Sequence, residues 1–230
     1  MATQTLTISL SSATLDELQQ SGFQLYAFQA VTSSNKSGAP LVWARVDSYL
    51  AKITLTFDVG ALSAFISTDG IAVNSAITIG ASTAVAAGQI VSVAGDGTLT
   101  VASGAPSGDI YIASSATTAY TCGLAAALGQ SPQQPICAFT LYPQVTVTMQ
   151  PADAIVVMWA TSTYDPGVYM QQSLGPGFFI DFNGATQRAV SYDMSQGWSA
   201  SGAAWAKTIP SGTNLAAALI LDPGHNQPMF

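Results

Sequence analysis

Short runs that alternate polar and apolar residues recur along most of the chain, and turn residues separate them about every 8–12 positions. Residues 3–10 (TQTLTISL) and 53–57 (ITLTF) place apolar side chains at every second position. Such alternation is typical of strands that bury one face. The spacing of the runs favours a sandwich over alternating strands and helices. We therefore predict an all-β, sandwich-like antiparallel fold.

Three segments give more detailed expectations. Thr14 and Glu17 stand three residues apart, as in a capping box, and Gly22 supplies a stop signal, so we predict one short N-terminal helix. The apolar run 155–159 predicts a central strand that is buried on both faces. Residues 215–221 predict a closing strand.

The composition changes between residues 68 and 131, where Ala, Gly, Ser and Thr dominate. Within this region, Asp96-Gly97 lies between two alternating runs and predicts a β-hairpin. We interpret residues 68–131 as a small inserted β-module. Residues 1–67 and 132–230 then form the main β-sandwich.

Charged residues are scarce. They make up 7% of the 230 residues, with five Lys and Arg against twelve Asp and Glu, where an ordinary domain has about 25%. Five scattered cations do not supply the basic clusters that nucleic-acid binding requires. An uncharged surface loses little solvation when it is covered, and interface cores are depleted in charge. We therefore expect a structural protein that self-associates into a homo-oligomer or larger assembly, with a soluble monomer as the alternative.

Motifs for catalysis and metal binding are missing from the sequence. His225 is the single histidine, and neither a G-x-S-x-G elbow nor a CxxC pair occurs. We therefore expect no catalytic residues, no cofactor and no metal site. Cys122 and Cys137 are candidates for a disulfide, and two buried reduced thiols are the alternative.

Aromatic and polar residues near the C-terminal end supply an alternative function. Rings with nearby polar groups suit sugar faces and lipid headgroups. This indicates a lectin-like or membrane-active binding module of the toxin or defence type, unless most of these rings belong to the core. Trp198 and Trp205 lie in a Gly/Ser/Ala-rich segment, where we expect them to be exposed. The candidate ligand-binding residues are Tyr164, Asp165, Tyr169, Gln171, Trp198 and Trp205.

Two stretches resemble known families. Residues 154–169, which join an apolar run to a turn flanked by two tyrosines, resemble the strand and tyrosine-rich loop of actinoporin-like sandwiches. That resemblance implies binding to lipid headgroups or glycans, although this chain has no basic ring. Residues 88–101 are similar in texture to small phage head-decoration proteins.

The N-terminal residues show neither a positively charged segment nor a long apolar segment, so we expect no signal peptide. This predicts synthesis in the cytosol. It leaves open a final location outside the cell or in a particle.

Overall fold

The computed structural model describes residues 3–106 and 108–223. Within these residues the chain forms nineteen strands, most of them short, and two short helices. In chain order they are β1 (Thr3–Leu10), α1 (Ser12–Gln20), β2 (Gln24–Thr32), β3 (Ala39–Pro40), β4 (Ala44–Val46), β5 (Lys52–Asp58), β6 (Leu62–Ser67), β7 (Ala81–Val85), β8 (Gln89–Val93), β9 (Leu99–Ser103), β10 (Ile110–Ser114), β11 (Tyr120–Ala126), β12 (Gln134–Pro135), β13 (Cys137–Leu141), β14 (Thr146–Ala160), β15 (Gly177–Asp181), β16 (Gln187–Asp193), β17 (Gly197–Ser199), β18 (Ala206–Ile209), α2 (Leu215–Leu219) and β19 (Ile220–Leu221). The all-β, sandwich-like prediction is confirmed.

A four-stranded sheet has the order β17-β16-β1-β5. Strand β1 pairs antiparallel with β5 and parallel with β16. Leu6 and Ile8 of β1 are fully buried, whereas Thr5 and Thr7 face outward and are half-buried. The alternation in the sequence therefore places one face of this sheet against the core.

A nine-stranded sheet runs in the order β18-β15-β14-β10-β8-β9, and β2 also pairs with β14, β4 and β19. The fifteen-residue strand β14 lies at its centre. Its register with β2 shifts between Pro151 and Ile155, as expected where proline removes a ladder donor. Beyond the shift, successive side chains belong to two different hydrophobic clusters, described below: Val157 to the larger one and Val156 to the second. The predicted central strand is thus confirmed as buried on both faces.

A six-stranded sheet has the order β3-β13-β11-β6-β7, with β12 paired to β11. The predicted hairpin is confirmed, because β8 and β9 pair antiparallel around Asp96-Gly97 and Gly97 has a φ of +82°. Strands β8–β10 continue the nine-stranded sheet through the ladder between β10 and β14. The boundaries of the inserted module stay a prediction.

The largest hydrophobic cluster lies between the inner faces of the three sheets. It joins Ile8 of the four-stranded sheet, Val157 of the nine-stranded sheet and Phe139 of the six-stranded sheet. A second cluster lies on the opposite face of β2 and β14. It joins Tyr26 and Phe28 of β2 to apolar side chains of α2. The burial of apolar side chains in these two clusters stabilises the packing of the sheets.

Two local predictions are wrong. The N-cap of α1 is Ser11, which has extended backbone and accepts a hydrogen bond from Thr14 N at 3.1 Å, so Thr14 lies inside the helix. The predicted closing strand is mostly helix α2, because Asn214 caps the start and alanine favours the helical state. Only Ile220 and Leu221 of that segment pair as a strand. His225 lies outside the described residues.

Candidate functional site

Two loops form a pocket beside the second hydrophobic cluster. Asn74 N donates to Tyr169 O at 2.9 Å, Tyr169 N donates to Ser75 O at 3.0 Å, and Ile77 N donates to Gly167 O at 3.0 Å. These hydrogen bonds attach the loop around Asn74 to the segment that follows Tyr164. Because both loops are fixed by backbone groups, their side chains are held in a defined arrangement.

The cavity between these loops, called the loop pocket below, has a volume of about 160 Å³. Charged side chains do not contribute to its walls, which consist of an aromatic ring, three carboxamides and three apolar side chains. Two of the apolar side chains are unusually exposed, Val73 at 46% and Leu174 at 42%. The lining residues are Val73, Asn74, Tyr164, Met170, Gln171, Gln172 and Leu174.

Tyr164 is held at the pocket by Tyr26 beneath it. The two rings meet edge to face with centroids 6.5 Å apart. Tyr164 N donates to the Tyr26 hydroxyl at 3.1 Å, and that hydroxyl donates to Ser162 O. Burial raises the pKa of Tyr26, so this hydroxyl stays protonated and keeps its role as a donor. The position of Tyr164 therefore depends on a buried residue that is 138 positions away.

The structure brings together part of the predicted ligand set. Tyr164 and Gln171 line the loop pocket. Asp165 is exposed beside it and forms an ion pair with Arg45 at 2.8 Å. Tyr169 is half-buried and packs against a third hydrophobic cluster rather than lining the pocket. The sequence analysis missed Val73, Asn74 and Leu174, and no local pattern singles them out.

The two tryptophans are not part of the loop pocket. Trp198 was predicted to be exposed, but it is 7% exposed. Its ring stacks on Phe178 at 5.8 Å and approaches Tyr192 at 4.8 Å, and its indole N–H donates to Pro176 O at 3.0 Å. The prediction failed because these partners come from other strands. Trp205 is half-buried, and the Arg188 guanidinium lies over its ring at 4.6 Å.

Cys122 and Cys137 are free and fully buried, so the structure corresponds to the alternative of two reduced thiols. Cys122 pairs across the sheet with Phe139, two residues beyond Cys137. The cysteines are therefore diagonal neighbours, and diagonal positions are farther apart than a disulfide spans. Burial raises the pKa of both thiols, that of Cys137 to about 12.

The carboxylate of Asp193 has a structural role. The hydroxyl and N–H of Ser195 and the N–H of Gln196 donate to it and lower its pKa to about 2. Its second oxygen accepts from the Thr14 hydroxyl at 3.1 Å, which links α1 to the turn after β16. Across the described residues, no group of three or more His, Cys, Asp or Glu side chains is arranged to hold a metal ion.

Exposed strand edges are a second candidate surface. Within the described part of the chain, four strands of at least four residues pair on one side only: β5, β7, β9 and β18. Natural proteins protect such edges with charges or proline. Strand β5 carries Lys52 and Asp58, and β18 carries Lys207, whereas β7 and β9 have neither charge nor proline. Strands β7 and β9 lie side by side, with Cα atoms within 8 Å.

The free side of β9, called the β9 edge below, can be defined from its hydrogen bonds. Val93 O accepts from Ser115 N on the side of β10, and Ala94 N donates to Thr98 O on the side of β9. Because the direction of the backbone groups alternates along a strand, residues 98, 100 and 102 face β8. The N–H and C=O groups of Leu99, Val101 and Ser103 therefore point away from the sheet. Val101 is 37% exposed.

Comparisons with protein families, with characterised proteins and with solved structures find no match to this chain. Among residues 3–106 and 108–223, neither helix has the length and apolar character needed to cross a membrane.

Proposed function

We propose that this protein is a non-enzymatic structural protein that self-associates, and that the β9 edge is the contact between copies. The observation that carries the proposal is that β9 is an edge strand with neither charge nor proline, a feature that it shares with β7 among the described edge strands of at least four residues. Among the described strands β9 pairs only with β8, and the strand sequence LTVAS is uncharged and rich in β-forming residues. The expected partner is a second copy of this chain.

A two-fold arrangement lets the outward backbone N–H and C=O groups of β9 form hydrogen bonds in both copies at once. If β9 pairs antiparallel with its copy and Val101 lies on the axis, Val101 faces Val101 and Leu99 faces Ser103 of the other copy. All three residues then use their outward groups, which gives about six hydrogen bonds between the chains. A closed, isologous dimer follows from this geometry.

The pairing energy predicts a weak contact. Each backbone hydrogen bond contributes a net ~0.5–1.5 kcal/mol, so six contribute roughly 3–9 kcal/mol. Association of two molecules costs an estimated ~4–15 kcal/mol. The most favourable combination leaves about 5 kcal/mol, so we expect a dissociation constant no tighter than roughly 0.1–1 mM. Because each copy has a net charge of −7, added salt weakens the repulsion between copies and strengthens association.

Light scattering after size exclusion, over about a hundredfold range of concentration, tests the proposal. The mass is expected to rise above the 23.6 kDa of one chain as the concentration increases. Val101→Pro removes the outward N–H and leaves the ladder with β8 intact, so it is expected to abolish the increase. Val101→Thr keeps the N–H and is the matched control.

A charge variant gives an independent test of the same edge. Ala102→Lys places a cation on the exposed edge, and Gln130→Lys makes the same charge change in an exposed loop. Only Ala102→Lys is expected to reduce association. A monomer at every concentration contradicts self-association. Association that survives Val101→Pro and Ala102→Lys contradicts the β9 edge as the contact.

A further inference from the structure

We infer that the loop pocket binds one ring of a neutral sugar. This inference does not depend on the proposed self-association, because the pocket and the β9 edge have no residue in common. It is carried by three properties of the pocket: its size, its uncharged polar groups and its apolar rim.

The size limits the ligand to a single small ring. Pockets for drug-sized molecules have volumes of roughly 300–1,000 Å³. The loop pocket, at about 160 Å³, has about half the lower value. Of its lining residues, Met170 is buried, whereas Val73 and Leu174 are exposed, so the pocket opens to solvent. A longer glycan would therefore place one residue in the pocket and extend into solvent.

The polar groups match hydroxyls rather than ions. Asn74, Gln171 and Gln172 each offer a carbonyl oxygen that accepts and an amide that donates, which is what a sugar hydroxyl requires from its partners. None of the three carboxamides forms a hydrogen bond with another described side chain or backbone group. A phosphate would need a cation at the pocket, but none of the lining residues is charged, and Arg45 is already paired with Asp165.

The aromatic and apolar groups match the carbon face of a sugar. Val73 and Leu174 project at the rim, where burial of their exposed surface by C–H groups is favourable. The Tyr164 ring is held in place by Tyr26, so little side-chain entropy is lost when a ligand packs against it. A choline headgroup is the competing ligand, but it is recognised by cages of several aromatic rings, and this pocket has one.

Saturation-transfer NMR with a panel of neutral monosaccharides, used at millimolar concentrations, tests the inference on the full chain. We expect at least one sugar to bind. Gln171→Ala removes one carboxamide and is expected to weaken binding about five- to tenfold, as the loss of a ligand hydrogen bond does. Gln130→Ala removes an exposed glutamine outside the pocket and is expected to have no effect.

Three results would overturn the inference. The first is that no sugar in the panel binds. The second is that Gln171→Ala binds as tightly as the wild type while Tyr164→Ala, which removes the ring, also has no effect. The third is that phosphatidylcholine vesicles bind at the pocket instead, with binding reduced by Gln171→Ala. Self-association measured on Gln171→Ala is expected to be unchanged, which separates this inference from the β9 edge.

Discussion

Replacing Gly123 with alanine tests the packing of the six-stranded sheet. Gly123 lies in β11, opposite Phe65 of β6. A Cβ added to it would lie 2.0 Å from the carbonyl oxygen of Cys137 and 2.8 Å from the Phe65 ring. Ordinary contacts between such atoms are about 3.5 Å. Strands β11 and β13 would therefore have to separate by more than an ångström. The carbonyl is backbone and has no rotamer that would relieve the overlap.

The expected cost follows from what that separation breaks. Overpacking a filled core costs about 1–3 kcal/mol, and each weakened ladder hydrogen bond adds about 1 kcal/mol. We expect Gly123→Ala to lower the free energy of unfolding by about 3–5 kcal/mol. For a chain of this size the melting temperature changes by about 2–4 °C per kcal/mol, so it should fall by roughly 6–20 °C.

Urea denaturation and thermal melting, followed by tryptophan fluorescence, measure this effect. Gly95→Ala is the matched control, because its added Cβ meets nothing within 4 Å and its φ is not positive. That variant is expected to stay within about 1 kcal/mol of the wild type. If both variants unfold at the same denaturant concentration, β11 and β13 do not approach as closely as the structure shows.

Two further predictions concern titratable groups. Because the folded pKa of Asp193 is lowered to about 2, its hydrogen bonds stabilise the fold above pH 4 and are lost as the pH falls towards 2. Asp193→Asn should therefore flatten the acid-denaturation profile over that range, and an unchanged profile would contradict a stabilising role for the hydrogen bonds that Ser195 and Gln196 donate to Asp193. Because burial raises the pKa of Cys122 and Cys137, neither thiol should react with Ellman's reagent at neutral pH until urea unfolds the chain. Rapid reaction in the native state would show that β11 and β13 open locally.

Sequence reasoning was most successful where structure depends on neighbouring residues. Alternation in β1 and β5, the hairpin at Asp96-Gly97 and the apolar run of β14 were all identified correctly. Sequence reasoning was less successful at the ends of helices. Helix α1 begins at Ser12 rather than after Thr14, and Leu215–Leu219 form a helix because Asn214 caps them. Both errors concern hydroxyl or amide side chains that compete for the first free N–H groups of a helix.

Exposure could not be predicted for residues whose partners are distant in sequence. The glycine- and serine-rich surroundings of Trp198 indicated a surface position, but Phe178 and Tyr192 cover it. The loop pocket is similar, because Val73 and Leu174 are about one hundred positions apart and meet only when the two loops bind each other. No local pattern carries that information.

The sequence by itself determined the strand-forming segments, the buried face of each segment and the scarcity of charge on the surface. The period of two along a strand is a property of consecutive residues, so it survives without knowledge of the fold. Only the tertiary structure decided which strands are neighbours, and therefore that β9 has a free edge and that Cys122 and Cys137 lie on a diagonal. Pairing depends on register between distant segments, and many registers bury the same apolar face until the complete core selects one.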